Sequence, residues 1–103
     1  VVDERVEARE GVEFFDAEEV GETVTLRHWK RGDRFQPIGL AGEAKLQDLF
    51  TNLKVPAAEK RMRMVATDAN GKIFWVEGLR ISERHKVSEG TERLLWWSWR
   101  RNR

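Results

Sequence analysis

The segment MVATDANGKIFWVEG, Met64 to Gly78, sets Asn70-Gly71 between two runs of β-prone residues. Asn-Gly is the favoured two-residue hairpin turn, because both central positions of that turn take positive φ. Val65 and Thr67 on one arm, and Ile73 to Val76 on the other, are the side chains of paired strands. The reading is an antiparallel hairpin, with a further short strand around Leu79 to Ile81 after Gly78.

Upstream, GEAKLQDLFTNL carries Leu46, Leu49, Phe50 and Leu53 at i, i+3, i+4 and i+7, one apolar stripe along a helix. A helix is expected over about 43–53, with Lys45 in its first turns. A second follows over about 56–63, because Pro56 suits a first helical position whose N–H has no partner anyway. It exports Lys60, Arg61 and Arg63. Further back, Val12 to Phe15 and Thr23 to Trp29 read as two short strands around the polar turn Ala17 to Glu22. Alternation places Val24, Leu26 and His28 on one face of the second strand, taken as the core face, with Arg27 outward. Downstream, RLLWWSWRRNR reads as a last strand in which Leu95, Trp97 and Trp99 alternate with Leu94, Trp96 and Ser98. The fold class is α+β: a small, mostly antiparallel sheet with two short helices inserted before a hairpin.

The 103 residues form one domain, 1–103, long enough for a modest core. With no cysteine there is no disulfide framework, thiol nucleophile or cysteine zinc site. No apolar run approaches membrane-spanning length, so no membrane partner is expected. Opening on Val1 rather than Met, the chain reads as a fragment of a longer protein. Residues 1–22 hold nine acids and two bases, whereas residues 23–103 hold nine acids and seventeen bases. That polarity points to a polyanion-facing surface, against a plain solvated one.

Catalytic constellations are thin. Asp16, Glu18 and Glu19 suit an acidic turn better than a carboxylate pair. His28 and His85 lack neighbours at metal-ligand spacing, and His28 is expected to pack or cap. The glycines at 32, 39 and 42 lack the strand–loop–helix setting of a phosphate loop. Arg31-Gly32-Asp33 matches a cell-adhesion tripeptide, which three residues cannot support. No catalytic and no metal-ligating residue is assigned. The stronger signal is LRHWKRGDRFQPIG, Leu26 to Gly39, where Arg27, Lys30, Arg31 and Arg34 crowd one turn among aromatics. Guanidinium groups grip phosphate bidentately, and folded RNA is read largely through phosphates and shape. Trp75 and the Trp96, Trp97, Trp99 group read as core or inter-domain packing rather than stacking platforms.

The ordered series Arg27, Gly32, Asp33, Arg34, Phe35, Pro37, Gly39 resembles the C-terminal domain of bacterial tRNA(Ile)-lysidine synthase. Gly42, Lys45, Leu46 and Phe50, then Val55-Pro56, then Trp75, Val76, Gly78, Arg80, Ile81, Lys86 and Val87 continue the likeness, which runs from about Phe14 to Thr91. Ala44 and Gln47 stand where the family helix often has bases, and Lys60 and Met64 replace an Arg and a Pro. This shifts the expected phosphate contacts away from much of that helix and toward the Arg27 to Arg34 turn, Lys45 and Arg80.

The resemblance implies a tRNA-recognition domain that engages the acceptor-stem region of tRNA(Ile). The absent N-terminal domain of such an enzyme ligates lysine to the wobble cytidine, using ATP and Mg2+. No cofactor is expected in the fragment itself, and the parent enzyme is expected in the cytoplasm. The expected tRNA-binding residues are Arg27, Lys30, Arg31, Arg34, Lys45, Arg80 and Lys86. Asp33 is read as shaping the turn by accepting backbone hydrogen bonds, with Phe35 and Trp29 anchoring it to the core. Against this stand intradomain roles: a salt bridge from Arg34 to Asp33 or Asp48, and a structural role for Arg80. The alternative for the whole is a structural domain that packs on the other domains of its chain, or forms a homodimer, through its Trp-rich surface.

Overall fold

The computed structural model describes residues 10–79 and 81–101. Within these residues ten elements follow one another: β1 (Glu10–Asp16), α1 (Ala17–Val20), β2 (Thr25–His28), β3 (Arg34–Phe35), β4 (Ala44–Lys45), α2 (Leu46–Asn52), α3 (Ala57–Met62), β5 (Met64–Thr67), β6 (Ile73–Val76) and β7 (Leu94–Arg100). All the strand pairs are antiparallel, in three small sheets ordered β1-β7, β2-β5-β6 and β3-β4. The α+β expectation is met.

The three-stranded sheet is the middle layer. Val65 and Val76, paired across β5 and β6, face one way and pack with Phe35, Leu46 and Phe50. Ala66 and Trp75, the next pair, face the other way and pack with Phe15, Phe74 and the inner rings of β7. The register shifts beside Thr67, so Phe74 is an extra residue in β6. That bulge lets Phe74 and Trp75, consecutive in sequence, join the same core cluster. Phe74 then meets Phe15 and Trp97 edge-on, with ring centroids 5.1 and 5.2 Å apart, the geometry aromatic pairs favour.

Several sequence expectations change in detail. Only Gly71 of the Asn70-Gly71 pair has positive φ, at 84°. Gly71 N–H bonds to the Asp68 carbonyl and Asp68 N–H to that of Lys72, so the loop has three residues and closes with a glycine bulge. The first helix starts at Leu46, because Ala44 and Lys45 pair with Phe35 and Arg34 as a strand. The second starts at Ala57, with Pro56 as its cap residue. The turn at 17–22 contains the helix α1, capped by Asp16 Oδ1 on the N–H groups of Glu18 and Glu19 at 3.0 and 3.3 Å. The strand expected around 79–81 is reduced, among the described residues, to one bridge between Pro37 and Ser82.

The faces of β2 are the reverse of the expectation. Leu26 is 55% exposed and His28 is exposed too, so His28 neither packs nor caps. Arg27 lies opposite Val65, on the side where Trp29 packs against Phe50. Leu26 lies opposite Ala66 but at the open rim of a groove of about 420 Å³ with Met64, Trp75, Trp97 and Trp99. Sequence alternation is correct here; the side that is covered is the one where Arg27 binds Asp33 and Trp29 packs on Phe50.

Candidate nucleic-acid interface

The turn Lys30 to Asp33 is closed by Asp33 N–H donating to the Lys30 carbonyl at 3.1 Å. Gly32 sits at its third position with φ 95°, which a side chain would oppose. The Asp33 carboxylate finishes the knot: Oδ2 accepts from Lys30 N–H at 2.7 Å and from Arg27 Nη1 at 2.9 Å, while Oδ1 accepts from Arg27 Nη2 at 3.1 Å. Its backbone carbonyl takes the Leu46 N–H at the start of α2. Trp29 anchors the near side through Nε1 donating to the Lys60 carbonyl at 2.6 Å, and Phe35 the far side, fully buried.

This scaffold sorts the expected contacts. Arg27 is committed to Asp33 and the His28 carbonyl, with its side chain 29% exposed. Lys30 and Arg31 stand exposed on the turn. Arg34 and Lys45 are directly opposite each other across β3 and β4, both exposed. Cross-strand neighbours share a face, and like charges there repel. Glu43 answers them at 3.7 Å from Arg34 Nε, a long and exposed pair of small worth. Lys86 lies elsewhere, bound to Glu83, whose other oxygen accepts Gly39 N–H at 3.0 Å. That N–H and the Lys86 amine hold the Glu83 carboxyl below its ordinary pKa. Arg80 falls outside the described residues.

The structure adds Lys72 and Arg84, which line one cleft with Arg34. Sequence offered little signal for them beyond Lys72 following the Asn-Gly turn, since their meeting with Arg34 is long-range. Beneath them a buried relay runs from Ser82 Oγ to His85 Nδ1 at 2.7 Å and from His85 Nε2 to Asp68 Oδ2 at 2.7 Å. Ser82, His85 and Asp68 are each at most 5% exposed. Burial pushes the Asp68 carboxyl up, but bonds from His85, Lys72 N–H and Asn70 N–H outweigh it and leave the pKa below the ordinary value. Among the described residues no group of three or more acids and histidines gathers to hold a metal, and no helix is long and apolar enough to cross a membrane.

Residues 24–97 match the family described as TilS substrate C-terminal domain. The chain belongs to that family. A tRNA(Ile)-lysidine synthase of Clostridium acetobutylicum is 39% identical to this TilS C-terminal domain over 93 residues, 90% of the chain and 20% of that protein. That of Caldanaerobacter subterraneus is 36% identical over 84% of the chain and 18% of its own length. A bifunctional protein TilS/HprT of Listeria monocytogenes is 42% identical over 67% of the chain and 11% of its own. The chain thus spans about a fifth or less of these relatives. A solved structure titled crystal structure of TILS C-terminal domain superposes with a TM-score of 0.70 at 27% identity, covering 100% of this chain and 78% of that one. Within this chain the β3–β4 pair sets Lys45 opposite Arg34, and the β5–β6 loop brings Lys72 to the cleft beside Arg34.

Proposed function

We propose that this domain recognises tRNA for a tRNA(Ile)-lysidine synthase, holding the acceptor-stem region of tRNA(Ile). The remainder of the parent enzyme would carry ATP and Mg2+ and ligate lysine to the wobble cytidine, in the cytoplasm. The reading rests on one observation above the others: Arg34 and Lys45 are cross-strand neighbours on an exposed face, and among the described residues their one ion pair is the 3.7 Å contact of Arg34 with Glu43. Such a pair costs stability in isolation and is relieved by a phosphate. Lys30 and Arg31 extend the same basic turn, while Arg27 is assigned to shaping it. Arg80 and Lys86 remain proposed contacts at the domain's other end of the likeness.

The test is fluorescence anisotropy of a labelled acceptor-stem minihelix of tRNA(Ile) titrated with this chain, beside an unrelated hairpin, at several salt concentrations. Salt-sensitive binding that favours the cognate stem is the expected result. No binding to either RNA at low salt would reject the reading for this chain.

A second reading has its own observation. The outer face of the β1-β7 ribbon carries Val12, Phe14, Leu94 and Trp96 at 49–69% exposure, with Phe14 and Trp96 directly paired. On this reading the domain dimerises through that face without touching RNA. Sedimentation that shows a monomer over a wide concentration range would remove it.

A further inference from the structure

The cleft over the Ser82–His85–Asp68 relay has a volume of about 320 Å³ and is lined by Arg34, Glu43, Lys72, Ser82, Arg84 and His85 among others. Its three cations come from separate places: Arg34 from β3, Lys72 from the β5–β6 loop, and Arg84 from the segment before β7. Lys72 and Arg84 are exposed and make no ion pair among the described residues. Glu43, the carboxylate of the lining, is drawn toward Arg34.

What separates this cleft from a chance cluster of surface cations is the way its walls are fixed. One buried carboxylate holds both sides. Asp68 Oδ1 accepts the Lys72 N–H at 2.9 Å and the Asn70 N–H at 2.8 Å, while Oδ2 binds His85, the residue after Arg84. The His85 ring is held again by Ser82, and the His85 carbonyl accepts Asp16 N–H at 2.9 Å. Ser82 is also bridged to Pro37, two residues from Phe35. The backbones that carry Arg34, Lys72 and Arg84 are therefore tied to one another. A pre-set concave cluster of cations binds a tetrahedral anion with less ordering cost than mobile side chains on a convex surface.

A second cleft of about 200 Å³ adjoins the first, shares Arg34, Glu43 and Lys72 with it, and reaches Gly32 on the Lys30–Asp33 turn. Two adjoining clefts with cations along both suit successive phosphates of a polymer better than one free anion. We propose that Lys72 and Arg84, together with Arg34, form a seat for a backbone phosphate of bound RNA, continuous with the Arg34–Lys45 face. This rests on the RNA-binding reading above and adds two residues and a fixed place to it.

The experiment compares this chain with its Lys72→Gln and Arg84→Gln variants, and with Arg93→Gln, an exposed cation outside the cleft, by anisotropy with a labelled acceptor-stem minihelix across a salt series. Melting temperatures are recorded for each. Lys72→Gln and Arg84→Gln are expected each to weaken binding roughly five- to tenfold and to lower the log–log salt slope by about 0.7–0.9, at unchanged melting temperature, with Arg93→Gln like the unmodified chain. Tight RNA binding that both variants share at an unchanged slope would overturn the seat while leaving the RNA reading intact. Absence of RNA binding by the unmodified chain would overturn both. A parallel titration with pyrophosphate, followed by amide NMR shifts of Lys72, Ser82 and His85, separates the sources of phosphate. Saturation by pyrophosphate that Lys72→Gln abolishes, with RNA affinity unaffected, would make the cleft a small-anion site and overturn the assignment to RNA.

Discussion

The carboxylate of Asp33 takes both terminal nitrogens of Arg27, at 2.9 and 3.1 Å, while one of its oxygens also closes the turn on Lys30 N–H. The Asp33 side chain is only 8% exposed. A basic turn thus has an ion pair as its internal strut, and the positive charge left for a ligand belongs to the residues on either side.

Removing the strut should cost stability rather than contacts. Arg27→Ala strands a largely buried carboxylate, a loss of about 1–3 kcal/mol. Arg27→Lys keeps the charge but not the two-nitrogen fork, and should recover only part of it. Urea denaturation of both variants against the unmodified chain checks the order. Equal stability of all three would show that Arg27 is a free surface cation.

Gly71 and Gly78 offer a matched pair. Their φ values are 84° and 85°, but a Cβ at Gly71 meets nothing within 4 Å, whereas one at Gly78 would lie 1.8 Å from Arg63 Nη1. Arg63 is buried, and that nitrogen donates to the Glu77 carbonyl at 3.1 Å. Gly71→Ala should cost about 1–2 kcal/mol for the left-handed backbone alone. Gly78→Ala should cost that and roughly 1–3 kcal/mol more, as Arg63 is displaced from a charged hydrogen bond. Thermal melts of the two variants give the difference directly, and equal losses would contradict the close packing of Arg63.

Acid should loosen the hairpin end. The folded pKa of Asp68 lies below the ordinary value of 3.8, so the folded state holds that proton more weakly than the unfolded one. Its contribution is fully present above 3.8 and is lost as pH falls through the folded value. Asp16, lowered mainly by the Thr91 hydroxyl, acts in the same direction. Stability measured from pH 5 downward should therefore fall, and Asp68→Asn should flatten part of that slope. A variant slope identical to that of the unmodified chain would exclude Asp68 as a source.

Much of the fold is legible in the residues because it is local. The Asn70-Gly71 turn, the Leu46–Phe50 stripe and the alternation of β7 each depend on neighbours in sequence. What escapes is long-range. β1 pairs with β7 across nearly the whole described chain, and the ribbon leaves Leu26 of β2 at an open rim while Asp33 covers Arg27 on the other side. Lys45 reads as helical from composition but is drawn into a strand by Phe35 and Arg34. The basic turn is visible as charge among aromatics. That Arg27 serves Asp33, and that Lys72 and Arg84 come to stand beside Arg34, depends on contacts between segments far apart in the chain.

The central claim is that the Arg34–Lys45 face is kept for RNA and not for the fold. The most direct measurement is the double variant Arg34→Ala/Lys45→Ala, melted and titrated with the acceptor-stem minihelix in the same buffer. Each lost contact should cost on the order of 1–3 kcal/mol of binding, with the melting temperature unchanged or slightly raised as the like-charge pair is relieved. Unchanged RNA affinity, or a loss of affinity that only tracks unfolding, would contradict the account.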